Sequence, residues 1–242
     1  MKVTYMRAGI FTTTIEKIIS FGDASRHFRL RFPEGTEFDF RAGQFVNFML
    51  ELPDQEKIIK RPYSIASPPC WHGTLDFIWK RIEGGLVTNY LWNLKEGDSL
   101  KIQGPLGMFT TKTPLPETIV FISTGTGIAP FRAMAHELLE NKATCKIWNI
   151  FGARYEDQIL YRDEWEALAA KHPNFRNVFT VSRSKNWQGE TQYVQFMLKK
   201  FIAPGPNTHI YICGLSAMIQ EVRKMAEEMG FKKDRVFFEK YD

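Results

Sequence analysis

Apolar and polar side chains alternate through the first half of this chain, whereas the second half carries unbroken apolar blocks. In Ser25–Phe32, the apolar Phe28, Leu30 and Phe32 alternate with His27, Arg29 and Arg31. That is the period-two signature of a half-buried strand, here with a basic outer face. Similar short runs cover Gln44–Leu50, Leu75–Lys80 and Ser99–Gln103, separated by turns such as Pro33-Glu34-Gly35 and Glu96-Gly97-Asp98. Short strands at this spacing predict an antiparallel β-barrel or sandwich over residues 1–114. After Thr113-Pro114-Leu115-Pro116, which reads as a linker, the period changes. Thr118–Ile122 is continuously apolar, as a strand buried on both faces is. Helical patterns over Pro130–Asn141, Asp163–Ala170, Val194–Phe201 and Ala217–Met229 then alternate with strand-like runs at Cys145–Phe151, Asn177–Val181, His209–Cys213 and Arg235–Phe238. Strand and helix in strict turn predict a doubly wound parallel α/β sheet over residues 115–242.

Composition narrows the class. Of 242 residues, 44% are hydrophobic and 24% charged, the balance of a globular protein. No apolar run approaches the roughly 18 residues of a membrane span, and the N-terminus lacks the apolar core of a signal peptide, so a soluble, cytoplasmic protein is expected. The three cysteines, Cys70, Cys145 and Cys213, form no C-x-x-C pair and supply neither a disulfide framework nor a four-thiolate cluster. His136-Glu137 opens H-E-L-L-E, which lacks the second histidine of a zinc motif, so no metal site is expected. A net charge of +5 suits an acidic partner, and without an arginine-rich run nucleic acid is not expected as one.

The candidate chemistry lies at the ends of the predicted strands. Directly after the first strand of the second half stands Ser123-Thr124-Gly125-Thr126-Gly127-Ile128-Ala129-Pro130, followed by a helix. Glycines there permit a tight turn and close approach of a ligand, and the helix start offers free N–H groups to phosphate. Pro130 occupies the third glycine position of G-x-G-x-x-G, so the segment alone reads equally as a nucleotide loop or as a structural turn. Gly152-Ala153-Arg154, Ser182-Arg183 and Cys213-Gly214-Leu215 close the next strands, and together they mark one carboxyl edge as functional. In the first half, Lys60-Arg61-Pro62-Tyr63-Ser64 sets a cation, a fixed φ, an aromatic face and a hydroxyl side by side. Such a set suits a flat, negatively charged ligand.

R-P-Y-S, G-L-V-T-N-Y-L, G-P-L-G-M-F, G-T-G-I-A-P-F-R and Y-I-C-G-L-S-A-M occur in this order from about Phe38 to the C-terminus. The set resembles the ferredoxin–NADP reductase superfamily, which joins a flavin-binding β-barrel to a nicotinamide-binding α/β domain. The resemblance implies that residues 1–114 bind FAD and residues 115–242 bind NADP(H). Arg61 of the Arg61-Pro62-Tyr63-Ser64 motif would then pair with the flavin pyrophosphate, Tyr63 would lie against the isoalloxazine, and Ser64 would hydrogen-bond its N5. Gly85, Leu86, Val87 and Thr88 would take flavin phosphates at a helix start, and Lys80 would line the flavin. Gly125, Thr126, Gly127 and Pro130 would cradle the nicotinamide dinucleotide, with Arg154 at the same edge and Cys213-Gly214 beside the nicotinamide ring. Ser182, Arg183 and Tyr193 match positions that hold a 2′-phosphate in NADP-dependent members, although Trp187-Gln188-Gly189 is similar to NADH-dependent ones. Glu239 would stand near N5 and Tyr241 would cover the flavin, with Asp242 as one residue beyond the family's usual end. The implied activity is hydride transfer between NADP(H) and FAD, coupled to an acidic carrier such as ferredoxin or flavodoxin. Two alternatives stand beside it: an NADH-dependent reductase serving an oxygenase or cytochrome, and a non-catalytic dinucleotide-binding redox adaptor.

Overall fold

The computed structural model describes residues 8–52 and 55–241 and resolves into two compact units. The first runs to Thr110 and includes Arg132–Glu137, and the second takes Thr111–Phe131 and the chain from Leu138 onward.

In the first unit the strands are β1 (Gly9–Phe21), β2 (Ser25–Arg31), β3 (Phe45–Leu50), β4 (Ile59–Ser64), β5 (Thr74–Lys80) and β6 (Ser99–Leu106), with helix α1 (Leu86–Asn93) between the last two. They form one antiparallel sheet in the order β4-β3-β6-β1-β2-β5. Its two edges approach just beyond β4, where the Ala66 N–H donates to the Asp76 carbonyl at 2.7 Å, so the sheet curls towards a barrel. Phe28, Leu30, Val46, Phe48, Phe77, Trp79 and Ile102 fill the interior. Burying each such side chain contributes about 1.5–3 kcal/mol.

Two strands lie outside the runs that the pattern picks out. In β1 the inward positions are odd-numbered as far as Ile15, and a bulge between Ile15 and Lys17 then moves them to even numbers. A shift of one residue exchanges the two faces, so no single alternation spans the strand. β4 contains Pro62, which a central strand does not tolerate, but β4 is an edge strand.

The basic outer face expected for β2 is a correction. His27 is buried, and Arg29 directs its guanidinium onto the buried Asp76 of β5, at 2.7 and 3.0 Å. Arg132 reaches the same carboxylate at 3.0 Å and also donates to the Ala66 carbonyl at 2.9 Å, while the Ser67 hydroxyl accepts the Asp76 N–H. Arg31 pairs with Glu16, and Arg26 donates to the Trp92 carbonyl and lies 3.8 Å over that indole ring. The helix segment from Arg132 covers this face of β5, which is why all of Leu75–Trp79 is buried rather than every second residue. Burial alone would raise the Asp76 carboxyl. The Arg29 hydrogen bond and the charges of His27, Arg132 and Arg29 outweigh it and hold the group below its ordinary range.

The second unit consists of β7 (Thr118–Thr124), α2 (Ala129–Glu140, less its middle), β8 (Lys146–Ala153), α3 (Arg162–Lys171), β9 (Phe175–Val181), α4 (Val194–Phe201), β10 (Thr208–Gly214), α5 (Ser216–Glu228) and β11 (Val236–Lys240). The sheet is wholly parallel in the order β11-β10-β7-β8-β9. β7 is its central strand and has five consecutive buried residues, as a strand covered on both sides requires. The chain runs outward from β7 to β8 and β9, then returns to place β10 on the other side of β7. That reversal is the switch point at which doubly wound folds open a crevice. Among the described residues no helix is long and apolar enough to cross a membrane.

Candidate active site

In the first unit the Arg61-Pro62-Tyr63-Ser64 motif occupies the C-terminal part of β4, so successive side chains leave opposite faces of the sheet. Arg61 and Pro62 are exposed, Tyr63 is half-buried and Ser64 is buried. The Arg61 guanidinium donates to the Lys60 carbonyl, and no carboxylate pairs with it among the described residues. Tyr63 packs its ring 4.5 Å from Phe48 and 6.0 Å from Trp79, so part of it belongs to the barrel core. Burial pushes its phenol up to about 12, against a smaller opposing effect of Arg61, and the ring stays neutral. Lys80 is the exposed last residue of β5.

Helix α1 begins after Gly85, which has no side-chain cap. The N–H groups of Leu86, Val87 and Thr88 therefore have no carbonyl within the helix to bond, and Leu86 itself is exposed. The Thr88 hydroxyl is engaged locally: it accepts the Ile82 N–H at 3.1 Å and lies 3.2 and 3.3 Å from the Ile82 and Gly85 carbonyls. A Cβ at Gly85 would fall 2.7 Å from that hydroxyl, so any side chain there would have to displace it. An exposed guanidinium and an uncapped helix start in one unit fit the pyrophosphate of FAD.

In the second unit the glycine segment forms a 3₁₀ turn, Gly125–Ile128, which leads into α2. Gly125 has φ +54, a conformation that favours glycine. Gly127 is pressed against β10: a Cβ there would lie 2.3 Å from the Cys213 carbonyl oxygen and 3.0 Å from the Gly214 nitrogen. At Gly214 a Cβ would lie 3.0 Å from the Thr124 hydroxyl oxygen. The structure thus brings Gly127, Cys213 and Gly214 together at the switch point between β7 and β10, where the glycine lets the turn pack directly on the β10 backbone. Pro130 is buried in the first turn of α2, where its missing N–H leaves no bond unmade. These features fit a dinucleotide pyrophosphate. Thr124 belongs to this crevice although the sequence pattern passes over it, and its hydroxyl at the end of an apolar run was the available signal.

The ends of β8 and β9 meet as well. The Ser182 N–H donates to the Ala153 carbonyl at 3.0 Å and the Arg183 N–H to the Arg154 carbonyl at 2.8 Å. Arg154 and Arg183 are exposed, and no carboxylate pairs with either among the described residues. Tyr193 precedes α4 and is 64% exposed.

On the other side of the crevice, Cys213 pairs in register with Glu239 of β11, and the Tyr241 N–H donates to the Gly214 carbonyl at 3.0 Å. Cys213 is fully buried at the end of β10. Burial first, and the Glu239 charge second, push the thiol well above its ordinary range, and the Tyr241 contact offsets only part of this. Burial of this kind favours the neutral thiol over the thiolate. Asp242, the residue beyond the usual end, lies outside the described residues.

The oxidoreductase FAD-binding domain family matches residues 12–111, and the oxidoreductase NAD-binding domain family matches residues 121–224. Ferredoxin–NADP reductase B of Sorangium cellulosum is 41% identical over 217 residues, covering 86% of this chain and 88% of its own. NADH-cytochrome b5 reductase 2 of Scheffersomyces stipitis is 32% identical over 195 residues, covering 73% of this chain and 65% of its own. In fold, the chain is similar to a ferredoxin NADP+ reductase from Neisseria gonorrhoeae, with a TM-score of 0.85 at 21% identity over 97% of this chain and 99% of that one.

Proposed function

The chain belongs to the ferredoxin–NADP reductase superfamily and is an NAD(P)H-dependent flavoprotein oxidoreductase, and from this we propose that it exchanges electrons between NADP(H) and a small carrier protein, a ferredoxin or flavodoxin. When bound, FAD supplies hydride exchange with the nicotinamide and passage of electrons one at a time to the carrier. The observation that carries the choice of NADP(H) is the meeting of Arg154, Ser182 and Arg183 at the ends of β8 and β9. Two exposed guanidiniums and a hydroxyl suit a ribose 2′-phosphate, whereas a carboxylate there would repel it. The nearby acid, Glu190, is turned to Lys200 of α4 at 2.5 Å.

Each remaining residue then has a task. Arg61 and the N–H groups of Leu86–Thr88 hold the flavin phosphates, with Gly85 and the Thr88 hydroxyl shaping the turn. Tyr63 supplies an aromatic face that is braced by Phe48, Ser64 donates to flavin N5, and Lys80 lines the ring. Gly125, Thr126, Gly127 and Pro130 form the nicotinamide-dinucleotide cradle, and Cys213-Gly214 packs the nicotinamide with a neutral thiol. Glu239 and Tyr241 act at the flavin's reacting edge. The carrier's acidity rests on the net charge of +5.

The test is an anaerobic visible titration of FAD-loaded protein with NADPH and then NADH, followed by reduction of cytochrome c through added ferredoxin or flavodoxin. Rapid bleaching by NADPH, slow bleaching by NADH, and carrier-dependent cytochrome reduction are expected. Faster bleaching by NADH would favour a reductase of the cytochrome b5 type, the reading to which the 32% relative points. Protein that takes up no FAD would overturn the assignment of Arg61–Ser64.

A further inference from the structure

Trp187, Gln188 and Gly189 take no part in the chemistry above. They lie in the segment 182–193, which joins β9 to α4 and bears Ser182 and Arg183 at one end and Tyr193 at the other. This segment doubles back on its own strand. Glu190 forms a parallel bridge with Thr180, its carbonyl accepts the Val181 N–H at 2.8 Å, and the Thr180 hydroxyl donates to the Gln192 carbonyl. The same Glu190 carbonyl accepts the indole N–H of Trp187 at 2.9 Å. Gly189 offers bare backbone to that indole: a Cβ there would lie 2.8 Å from three of its atoms. The Arg162 guanidinium stands 5.4 Å from the ring centroid, held by Glu156 at 2.7 Å and Glu166 at 2.9 Å. The indole is thus fixed by a hydrogen bond, a backbone contact and a cation.

We infer that Trp187 is a positioning residue for coenzyme selection: it closes the segment 182–193 so that Ser182, Arg183 and Tyr193 meet the ribose 2′-phosphate as one set. This rests on the NADP(H) reading given above. The physical reason is preorganisation. An open segment must be ordered when the coenzyme binds, and that entropy is subtracted from affinity; a segment already closed on Trp187 avoids the loss. Only a ligand that uses the closed set gains, so the effect falls on the 2′-phosphate and not on the dinucleotide as a whole.

The test compares Trp187→Ala, Trp187→Phe and Gly189→Ala in FAD-loaded protein. Gly189 is exposed, so Gly189→Ala displaces the indole from the surface side and carries the test should Trp187→Ala fail to fold. Trp187→Ala and Gly189→Ala should lower kcat/KM for NADPH on the order of tenfold, through KM, while kcat/KM for NADH stays within about twofold. Calorimetric affinity for adenosine 2′,5′-bisphosphate should fall in parallel, and Trp187→Phe, which keeps the ring but loses the N–H, should lie between. An unchanged NADPH-to-NADH ratio in all three variants, or equal losses with both coenzymes, would overturn the inference and leave the NADP(H) reading intact. If wild-type protein binds adenosine 2′,5′-bisphosphate no more tightly than 5′-AMP, the NADP(H) reading fails and takes the inference with it.

Discussion

Arg29 and Arg132 in the first unit point inward at Asp76, whereas Arg154 and Arg183 in the second stand exposed with no carboxylate partner among the described residues. The same side chain does two kinds of work. A buried guanidinium must have its donors and its charge answered inside the protein, so Asp76, the Ala66 carbonyl and the indole of Trp71, 5.1 Å from Arg132, surround it. An exposed guanidinium loses little by remaining unmatched, and it gains when an anion arrives. Where a cation is answered by the fold, its loss should be felt in stability. Where it is not, its loss should be felt in ligand affinity.

The strongest challenge to this contrast is Arg132→Ala. Removing one partner of the buried set should cost about 3–5 kcal/mol in urea unfolding. A loss below about 1 kcal/mol would mean that the cluster is not what secures Asp76. Asp76→Asn adds a pH signature. The folded-state carboxyl is depressed, so its stabilisation is full above the unfolded-state value and disappears as pH falls through the folded-state value. Wild type and Asp76→Asn should therefore differ most at neutral pH and converge in acid.

Gly127→Ala probes backbone rather than charge. Its Cβ would sit 2.3 Å from a main-chain oxygen, which cannot move as a side chain can, and about 1–3 kcal/mol of stability or more should be lost together with dinucleotide binding. Arg183→Gln should leave thermal unfolding unchanged and weaken NADPH by about 1.5–3 kcal/mol, the range of a hydrogen bond to a charged group, with NADH little affected. Equal weakening of both coenzymes would place Arg183 away from the 2′-phosphate. The smallest effect belongs to Tyr63. Because its phenol is pushed up to about 12, Tyr63→Phe should leave the pH–rate profile unaltered between about pH 6 and 10.

The second unit was the more legible in the sequence. Continuous apolar runs and helical periods are local signals, and every predicted strand and helix there has its counterpart in β7–β11 and α2–α5. In the first unit β1 is hidden by its bulge and β4 by Pro62, since neither departure from alternation can be interpreted without knowing which strand lies beside it. The candidate residues were legible as motifs, but their surroundings were not. That Cys213 is buried beside Glu239, or that Thr88 already serves its own turn, depends on pairing across distant segments. Asp76 is the clearest case: a carboxylate in the strand L-D-F-I-W-K reads as solvent-facing until Arg132 is known to cover it.

Pro62 has one more consequence. β4 lies at the margin of its sheet and, among the described residues, pairs along its length with β3 alone. Such a margin is a template on which another chain can stack, and stacking of this kind is how β-proteins begin to aggregate. A proline has no hydrogen to offer an incoming strand, and Lys60 and Arg61, both exposed, repel a second copy of themselves. The residues proposed to hold a flavin are therefore also ones that make this margin a poor template for a second strand.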